Sequence, residues 1–499
     1  MNNVRSTLRP LAPRLICLAI SIACAHGLAS AQSADPLRAA AEKAVATNPE
    51  ISARFNAYRA AADAVDVARG GFLPRVDLNA TAGQDRDHID GRSPEAQQTL
   101  NRHAVTLSLT QLLWDGLGTS HEVGRLGHER LARYFELLET TEQVVLEAVR
   151  AQQDVQRYRR LVKLAEDNYV QHRYAFLQIQ SRFRAGVGRG VDLEQAGARV
   201  ALAESNLTTE LANLHDVTAR YQRIVGELPP AELPTLVMLR ESLPGNATDA
   251  TLAALRRSAA ISAGIEGLRA ARAAVSTRQA AYQPRVEARV RTSAGKAVDG
   301  VQDQTRNSSA EIVLNWNLFN GFSDRARVRQ QSNLMSQAAD LRDRTCREAR
   351  QTAAIAFNDS RKLIEQLVYL ERNTLAIEKA RDAYRQQFDI GQRSLLDLLN
   401  SENELYTARR AYANAEYDLA LAYARTHAAM TQLGTQLGIA RTDKLADESA
   451  SGWSADGDAP ERCPAVVGEI TPTSRADLDA RAAAMTANAP QPAASAPRR

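Results

Sequence analysis

The chain has 499 residues, of which 24% are charged and only 5% are aromatic, and its formal net charge is +4. So small a net charge gives no reason to expect nucleic-acid binding, and the charged fraction excludes a bundle of membrane-spanning helices. No stretch after residue 31 approaches the ~18 uncharged apolar residues of a transmembrane helix, so any membrane crossing would have to use strands.

The N-terminus predicts a secretory signal peptide over residues 1–31. A basic start precedes an apolar run from Leu15 to Ala25, and Ala29-Ser30-Ala31 forms an A-x-A cleavage site. The apolar run is too short for an uncleaved anchor. A lipoprotein acylated at Cys24 is the poorer alternative, because the residues before that cysteine fit a lipobox badly. We therefore expect export from the cytoplasm, with cleavage near Ala31.

The rest of the chain contains two copies of one unit. Pro-Arg-Val begins two residues after an aromatic side chain at both Phe72 and Tyr282, and the motifs LLWDG and NLFNG end at Gly116 and Gly321. A third matched block pairs three residues of the first half with three of the second: Phe183 with Phe388, Gly186 with Gly391, and Asp192 with Asp397. Three matched blocks in the same order indicate an internal repeat.

The repeat sets the expected domain boundaries. The first repeat covers 32–228, a linker covers 229–247, the second repeat covers 248–440, and a tail covers 441–499. Prolines that exclude continuous helix mark the junction: Pro229, Pro230, Pro234 and Pro244. The tail is rich in Ala, Pro and Asp, so we expect it to be largely disordered beyond Cys463.

Each repeat predicts a helix, two short strands, a long helix, a turn and a second helix. The first helices cover about 36–70 and 248–281. Apolar residues then alternate with polar ones at period two, the signature of strands. The alternating apolar residues are Val76, Leu78, Ala80, Ala82, Val105, Leu107, Leu109, Val286, Ala288, Val290, Ile312, Leu314, Trp316 and Leu318. Long polar loops are expected at roughly 84–102 and 296–308.

Very long helices follow the strands. Neither His128–Ala185 nor Ser323–Ile390 contains Gly or Pro, which predicts rods of roughly 85 and 100 Å. Turns at Gly186 and Gly391 reverse the chain into second helices at about 192–226 and 394–436. Helices of this length exceed any single globular core, so we expect a coiled-coil-like bundle.

The strands have the properties of a membrane barrel. About 8–11 residues suffice to cross a bilayer at a tilt, with one face toward lipid and the other, carrying Glu287, Arg289 and Arg291, toward a lumen. Four strands cannot close a barrel with a lumen, and open edges cannot lie in lipid, so other copies must complete it. A half-buried soluble sheet would alternate in the same way, and a periplasmic coiled-coil scaffold or adaptor without a barrel remains the alternative of another class.

Over about 36–440 the chain resembles the TolC-like outer-membrane efflux and secretion proteins. The resemblance rests on the duplicated unit and on the turn motifs RFRAGVGRGVDLEQA and QFDIGQRSLLDLLNS. It implies a membrane α+β fold: a homotrimer whose twelve-stranded β-barrel, with four strands per chain, continues as a long periplasmic α-helical coiled-coil tunnel. It also implies outer-membrane lipid around the barrel. A periplasmic adaptor (membrane fusion protein) would dock it to an inner-membrane ABC or other export transporter.

Two segments resemble one branch of this family in particular. YRQQFDIGQRSLLDLLNSENEL and RTCREARQTAAIAFNDS are similar to the type I secretion branch associated with agglutination and large adhesins. Multidrug efflux is the alternative within the family. No catalytic constellation, metal site or cofactor motif is apparent. His121 and His128 lack a third ligand, and the glycines around Gly188 do not follow a strand. We therefore expect a passive duct and no enzyme, with energy supplied by a partner.

The resemblance places a gate at the two turns. A basic residue at the position of Arg393 pairs with an acidic one at that of Asp192, which holds the inner hairpins inward. An N-cap role is the alternative for Asp192. Phe388 stands where the family has a latch tyrosine. Acidic residues at the position of Asp397 form a ring in the pore, and Asn400 stands where a second Asp is often found.

Signal cleavage would remove Cys17 and Cys24 and leave Cys346 and Cys463. An even number of cysteines in an oxidising compartment favours a disulfide, and two unpaired thiols are the alternative. A bridge between them would wrap the tail around the middle of the tunnel.

Overall fold

A computed structural model describes residues 36–89, 96–233, 236–298, 303–439, 450–466, 468 and 471–487. The expected signal peptide lies outside these residues. In chain order, the elements are α1 Pro36–Thr47, α2 Pro49–Arg69, β1 Arg75–Ile89, β2 Ala96–Trp114, α3 Gly118–Arg184, α4 Gly190–Val225, α5 Ala247–Arg257, α6 Ala259–Gln279, β3 Arg285–Lys296, β4 Gln304–Asn315, α7 Ser323–Asp389, α8 Leu395–Ala429, α9 Leu433–Gln436 and α10 Arg475–Ala487.

The order helix, helix, strand, strand, long helix, helix occurs twice, so the expected duplication is confirmed. The expectation of one continuous helix before each strand pair is wrong. Pro49 disfavours helical backbone at Asn48, whose side chain instead accepts a hydrogen bond from the Glu50 amide (2.8 Å) and starts α2. Ser258 caps α6 at the equivalent place, through the amide of Ile261.

The two longest helices, α3 and α7, have 67 residues each, or about 100 Å. The extent of α7 agrees with expectation. In contrast, α3 begins ten residues before His128, because packing against α6 offsets the modest cost of the glycines near its start. α8 ends at Ala429, short of the expected 436, because Thr431 adopts a positive φ of 54°. No helix in the described ranges is both long and apolar enough to cross a membrane.

Buried apolar residues form separate clusters along the helices. The largest joins α1, the middle of α3, the end of α4, and α8 with α9, and its alanines allow close helix approach. A second lies at the turns and includes Ala175, Ile179, Leu395 and Leu399. Small cores distributed along the rods replace one central core, as the sequence predicts.

The strands form one antiparallel sheet in the order β1-β2-β3-β4. They have 15, 19, 12 and 12 residues, more than the expected 8–11. Most of the expected loop at 84–102, and part of that at 296–308, is therefore strand, since the ladder satisfies backbone groups even where side chains are polar. β4 ends at Asn315, so Trp316 and Leu318 lie beyond it; the Trp316 indole donates to the carbonyl of Tyr282 (3.1 Å).

The tail is more ordered than its composition indicates. Its helix α10 runs from Arg475 to Ala487, and Ser474 caps it by accepting from the Asp477 amide (3.1 Å). Arg475 donates to the Tyr369 hydroxyl (3.0 Å) on α7. The cap and the helix-forming alanines explain this departure from the expected disorder beyond Cys463.

Candidate functional site

One face of the sheet is apolar. Residues directly opposite each other on neighbouring strands share a face, and Val76, Leu109, Val290 and Ala310 form one such row. The apolar side chains of this face include Val76, Leu78, Ala80, Val105, Leu107, Leu109, Val286, Ala288, Val290, Ala310, Ile312 and Leu314, with the polar Gln111, Thr292 and Ser308 among them. Leu78 and Ile312 are 70% and 74% exposed. A continuous exposed surface of this kind requires lipid or protein to cover it.

The other face is polar and charged. Its described residues include Arg75, Asp77, Thr106, Ser108, Thr110, Glu287, Arg289, Arg291, Ser309 and Glu311. The Glu287 carboxylate accepts from Arg285 (2.6 Å) and from Arg289 (2.8 Å) and is nearly buried. Along β3 the polar-face side chains are mostly less exposed than those of the apolar face. Such a polar face suits a water-filled lumen.

A β-bulge keeps an aromatic residue on the apolar face. The register between β2 and β3 shifts between Leu112 and Trp114, which places Trp114 opposite Val286. Other exposed aromatic residues flank the helix side of the strands: Phe72, Tyr282, Trp316, Phe319 and Phe322. Aromatic girdles of membrane barrels lie at this level. This belt was not predicted from the sequence, although the aromatic residue in each repeated motif indicates it.

The repeated LLWDG and NLFNG motifs turn the chain from strand into long helix. Gly116 and Gly321 have φ values of +68° and +67°, a region that glycine adopts without strain. After the first turn, the Asp115 carboxylate accepts from the amide and the hydroxyl of Thr119 (2.8 and 2.6 Å). These contacts fix the direction of α3 relative to the sheet.

At the opposite end, Gly186 and Gly391 reverse the chain with nearly equal φ values of +76° and +75°. Their amides donate to Phe183 and Phe388 carbonyls (2.9 and 3.0 Å). Phe388 is 6% exposed within the turn cluster, and the Arg182 guanidinium lies 5.2 Å from its ring. The side chain is therefore part of the hairpin core.

The structure places Asp192 and Arg393 in different environments. Asp192 is in the first turn of α4, but Arg189 is the N-cap residue, so the N-cap alternative for Asp192 is wrong. Arg393 Nη1 lies 3.6 Å from Asp397 Oδ2, and its Nε donates to Gln387 (3.0 Å). The guanidinium also lies 4.8 Å from the Tyr384 ring. None of these described contacts within one chain reaches Asp192.

Asp397 and Asn400 are both engaged at the start of α8. The Ser394 hydroxyl donates to Asp397 Oδ2 (2.9 Å), and the Asp397 amide donates back to that hydroxyl (3.2 Å). This reciprocal pair forms an N-terminal cap. Asn400 Oδ1 accepts from Arg199 Nη2 (2.7 Å), which links α8 to α4. Of the two expected ring residues, Asp397 keeps a partly exposed carboxylate.

The tail is joined to α7 by a disulfide between Cys346 and Cys463, with Cα atoms 6.1 Å apart. Polar contacts surround it. Fully buried Glu266 accepts from Trp453 Nε1 (2.7 Å) and Arg269 (2.8 Å), and its Oε2 lies 2.7 Å from His128 Nδ1. Burial alone would raise the pKa of Glu266, but the hydrogen bonds from His128 and Trp453 lower it overall.

Two further tail contacts are ionic. Asp458 accepts from Arg269 (2.9 Å) and Arg272 (2.6 Å), and these bonds lower its pKa despite burial. Arg462 donates to buried Asp343 (2.7 Å). These ion pairs were not predicted from the sequence, because the partners lie more than a hundred positions apart. The only local signal was a tryptophan and several charges close to Cys463.

Comparison with known proteins agrees with this architecture. The family model for outer membrane efflux protein matches residues 40–227 and 252–431, one segment per repeat. Outer membrane efflux protein BepC of Brucella suis biovar 1 is 24% identical over 407 residues, covering 81% of this chain and 87% of that protein. Alkaline protease secretion protein AprF of Pseudomonas aeruginosa is 25% identical over 406 residues, covering 77% and 81%.

Solved structures show the same fold. The Campylobacter jejuni CmeC outer membrane channel superposes with a TM-score of 0.72 at 14% identity, covering 86% of this chain and 90% of that one. The predicted α+β membrane fold, with a barrel wall of four strands and a helical tunnel, is thereby confirmed. The family match covers more than half of the chain. The chain therefore belongs to the outer membrane efflux protein family and is an efflux or secretion channel of the outer membrane.

Proposed function

We propose that three copies of this chain close one twelve-stranded barrel and form the exit duct of a type I protein secretion system. The observation that carries the trimer is the open sheet, in which β1 and β4 are the two outer strands. Unpaired edge groups cannot lie in hydrocarbon. Pairing β1 of one copy with β4 of the next satisfies both edges, and three copies enclose a lumen.

The two sheet faces support this orientation. In a closed barrel, the exposed apolar face contacts lipid and the polar face lines the lumen. The lumen then carries Arg289 and Arg291 from every copy, together with Glu287. Transport through such a lumen needs no bond chemistry, because the cargo only passes through it. The duct itself is passive, and energy comes from an inner-membrane transporter.

The turn ends of the rods form the gate in this proposal. Asp192 lies in the first turn of α4, and Arg393 lies two residues before α8, so both lie at the end of the tunnel away from the sheet. In the closed trimer, Arg393 holds the inner hairpins inward through Asp192, and Asp397 contributes one carboxylate per copy to a ring. Phe388 supports the turn from within, and Asn400 braces α8 against α4.

Protein secretion rather than drug export is favoured by two observations. The segments around the second turn are similar to the type I secretion branch, and AprF is named as an alkaline protease secretion protein. The names of BepC and CmeC fit the alternative, a multidrug efflux channel. In either system, a periplasmic adaptor joins the turn end of the tunnel to the inner-membrane transporter.

Deletion of the gene separates the two systems. We expect the deletion strain to lose one or more large proteins from its culture medium, with drug susceptibility unchanged and both effects reversed by the wild-type gene. Unchanged secreted proteins together with increased drug susceptibility would instead assign the channel to efflux.

A further inference from the structure

Charges are segregated between the two faces of the sheet. Among the described strand residues, Asp77, Asp85, Glu287 and Glu311 all lie on the polar face. The apolar face has no described acidic residue. Its charged or titratable side chains are all basic, and all lie toward the end of the sheet away from the helices: Arg86, His103, Lys296 and Arg306.

Three of these residues are close neighbours, and we call them the basic cluster: His103, Lys296 and Arg306. His103 lies directly opposite Lys296 in the β2–β3 register, and Arg306 is the diagonal neighbour of Lys296 across β3 and β4. Opposite and diagonal side chains on one face are within about 5–8 Å. Like charges so placed repel each other. By contrast, Arg102 on the polar face pairs with Asp85 at 3.2 Å.

The cluster lies at the outer edge of the lipid-facing band. From Val286, at the helix end of the apolar face, to Ala294 beside Arg306 is eight residues, or about 27 Å along the strand. At a strand tilt of about 40° this corresponds to a height of about 20 Å, close to the apolar band of membrane barrels. The basic residues therefore begin where hydrocarbon gives way to lipid headgroups.

The shape of the surface is suitable for a headgroup. A depression of about 510 Å³ is lined by His103, Lys296, Gln304 and Arg306, together with Ala80 and Val105. The cationic groups would bind an anion, while the small apolar side chains below leave room for an acyl chain. Because the helices extend into the periplasm, this end of the sheet lies in the outer leaflet.

We propose that the basic cluster binds the phosphate groups of lipopolysaccharide in the outer leaflet. The phosphate would neutralise the repulsion between Lys296 and Arg306, and charge-assisted hydrogen bonds from these two side chains would hold it. The inference rests on the proposed barrel, since only a closed barrel exposes this face to lipid. Phospholipid phosphates are the alternative occupant that the experiment must separate.

The test uses the full mature protein in a non-ionic detergent, with binding of bisphosphorylated lipid A measured by native mass spectrometry. We expect the double variant Lys296→Gln/Arg306→Gln to bind at least about tenfold more weakly, since a lost charge-assisted hydrogen bond changes affinity by about that factor. The variant Arg291→Gln, on the same strand but the opposite face, should bind like the wild type. Lys296→Arg should also retain binding.

Equal affinity of the double variant and the wild type would overturn the inference. So would binding of phosphatidylglycerol as tight as that of lipid A, or undiminished binding of dephosphorylated lipid A. A heat-modifiable trimer band and conductance in a planar bilayer, recorded for each variant, separate this inference from the proposed function. A conducting trimer that does not bind lipid A refutes the inference alone, whereas the absence of a trimer refutes both.

Discussion

Arg393, two residues before α8, and Asp397, in the first turn of α8, form an ion pair, with Nη1 of the arginine 3.6 Å from Oδ2 of the aspartate. Both side chains are partly exposed, so the pair contributes at most about 1 kcal/mol. Ser394 also donates to Asp397, and the carboxylate would therefore keep a partner if Arg393 turned away. Moving the Arg393 side chain from its own hairpin to a neighbouring one would therefore cost little free energy, as the proposed reversible gate requires.

Replacing Arg393 by Ser should open the resting channel. We expect a higher closed-state conductance in a planar bilayer, because each copy loses a link worth about 0.5–1 kcal/mol and the threefold symmetry multiplies that loss. Arg184→Ser, near the same turn end but on α3, is the matched control and should leave conductance unchanged. An R393S channel with wild-type closed conductance would argue against the latch.

Asp397→Asn should reduce the preference of the channel for cations. Three carboxylates at one level attract cations and repel anions, and the substitution removes all three charges. The reversal potential in a salt gradient should shift toward anions. Asn400→Asp should shift it the other way, provided that the link to Arg199 survives. Reversal potentials that do not respond to either change would remove Asp397 from the pore lining.

The tail should remain in place when its disulfide is broken. Cys463→Ser removes a link across 117 positions, but Arg269 and Arg272 still donate to the Asp458 carboxylate (2.9 and 2.6 Å). We expect limited proteolysis to leave the tail attached in this variant and to release it once Asp458→Asn is added. Release by Cys463→Ser alone would show that the disulfide is the main attachment.

His172 should make the turn end of the rods less stable in mild acid. Burial, together with repulsion by Arg199, lowers its pKa to about 4, against about 6.5 in the unfolded chain. Between these values the unfolded state binds more protons. Stability therefore falls as pH falls through this window, by up to about 3 kcal/mol.

Hydrogen exchange of the turn-end amides, measured near neutral pH and near pH 4.5, checks this contribution. His172→Gln should reduce the loss of protection on acidification. His215→Gln, a largely exposed histidine on α4, should behave like the wild type. If H172Q and the wild type lose protection equally, the imidazole of His172 does not titrate as described.

The repeat, the two-faced strands and the glycine turns could be predicted from the sequence because each depends on local pattern. Period-two alternation located the strand faces, and Gly186 and Gly391 marked both reversals. The strand ends could not be predicted, since β1 and β2 continue through polar residues that only the paired backbone stabilises. The contacts of the tail could not be predicted for another reason. Asp458 pairs with arginines on α6, and no local feature of the sequence indicates a partner so distant.

The candidate site residues also include features that the local sequence predicts and features that depend on distant partners. The positions of Asp397 and Arg393 followed from the repeated turn motif, but their neighbours did not. The direction of the Phe388 side chain, outward or into the hairpin, depends on how α3, α4, α7 and α8 pack together. The hydrogen bond between Arg199 and Asn400 depends on the same packing. Such packing depends on how the helices assemble, and the residues at single positions of the sequence do not determine it.

The mass of the detergent-solubilised protein tests the central claim most directly. We predict that native mass spectrometry of the mature chain gives three copies per particle, and that the same particles insert into planar bilayers and conduct ions. A monomer that remains soluble without detergent would contradict the barrel, because the apolar face of the sheet would then need no lipid.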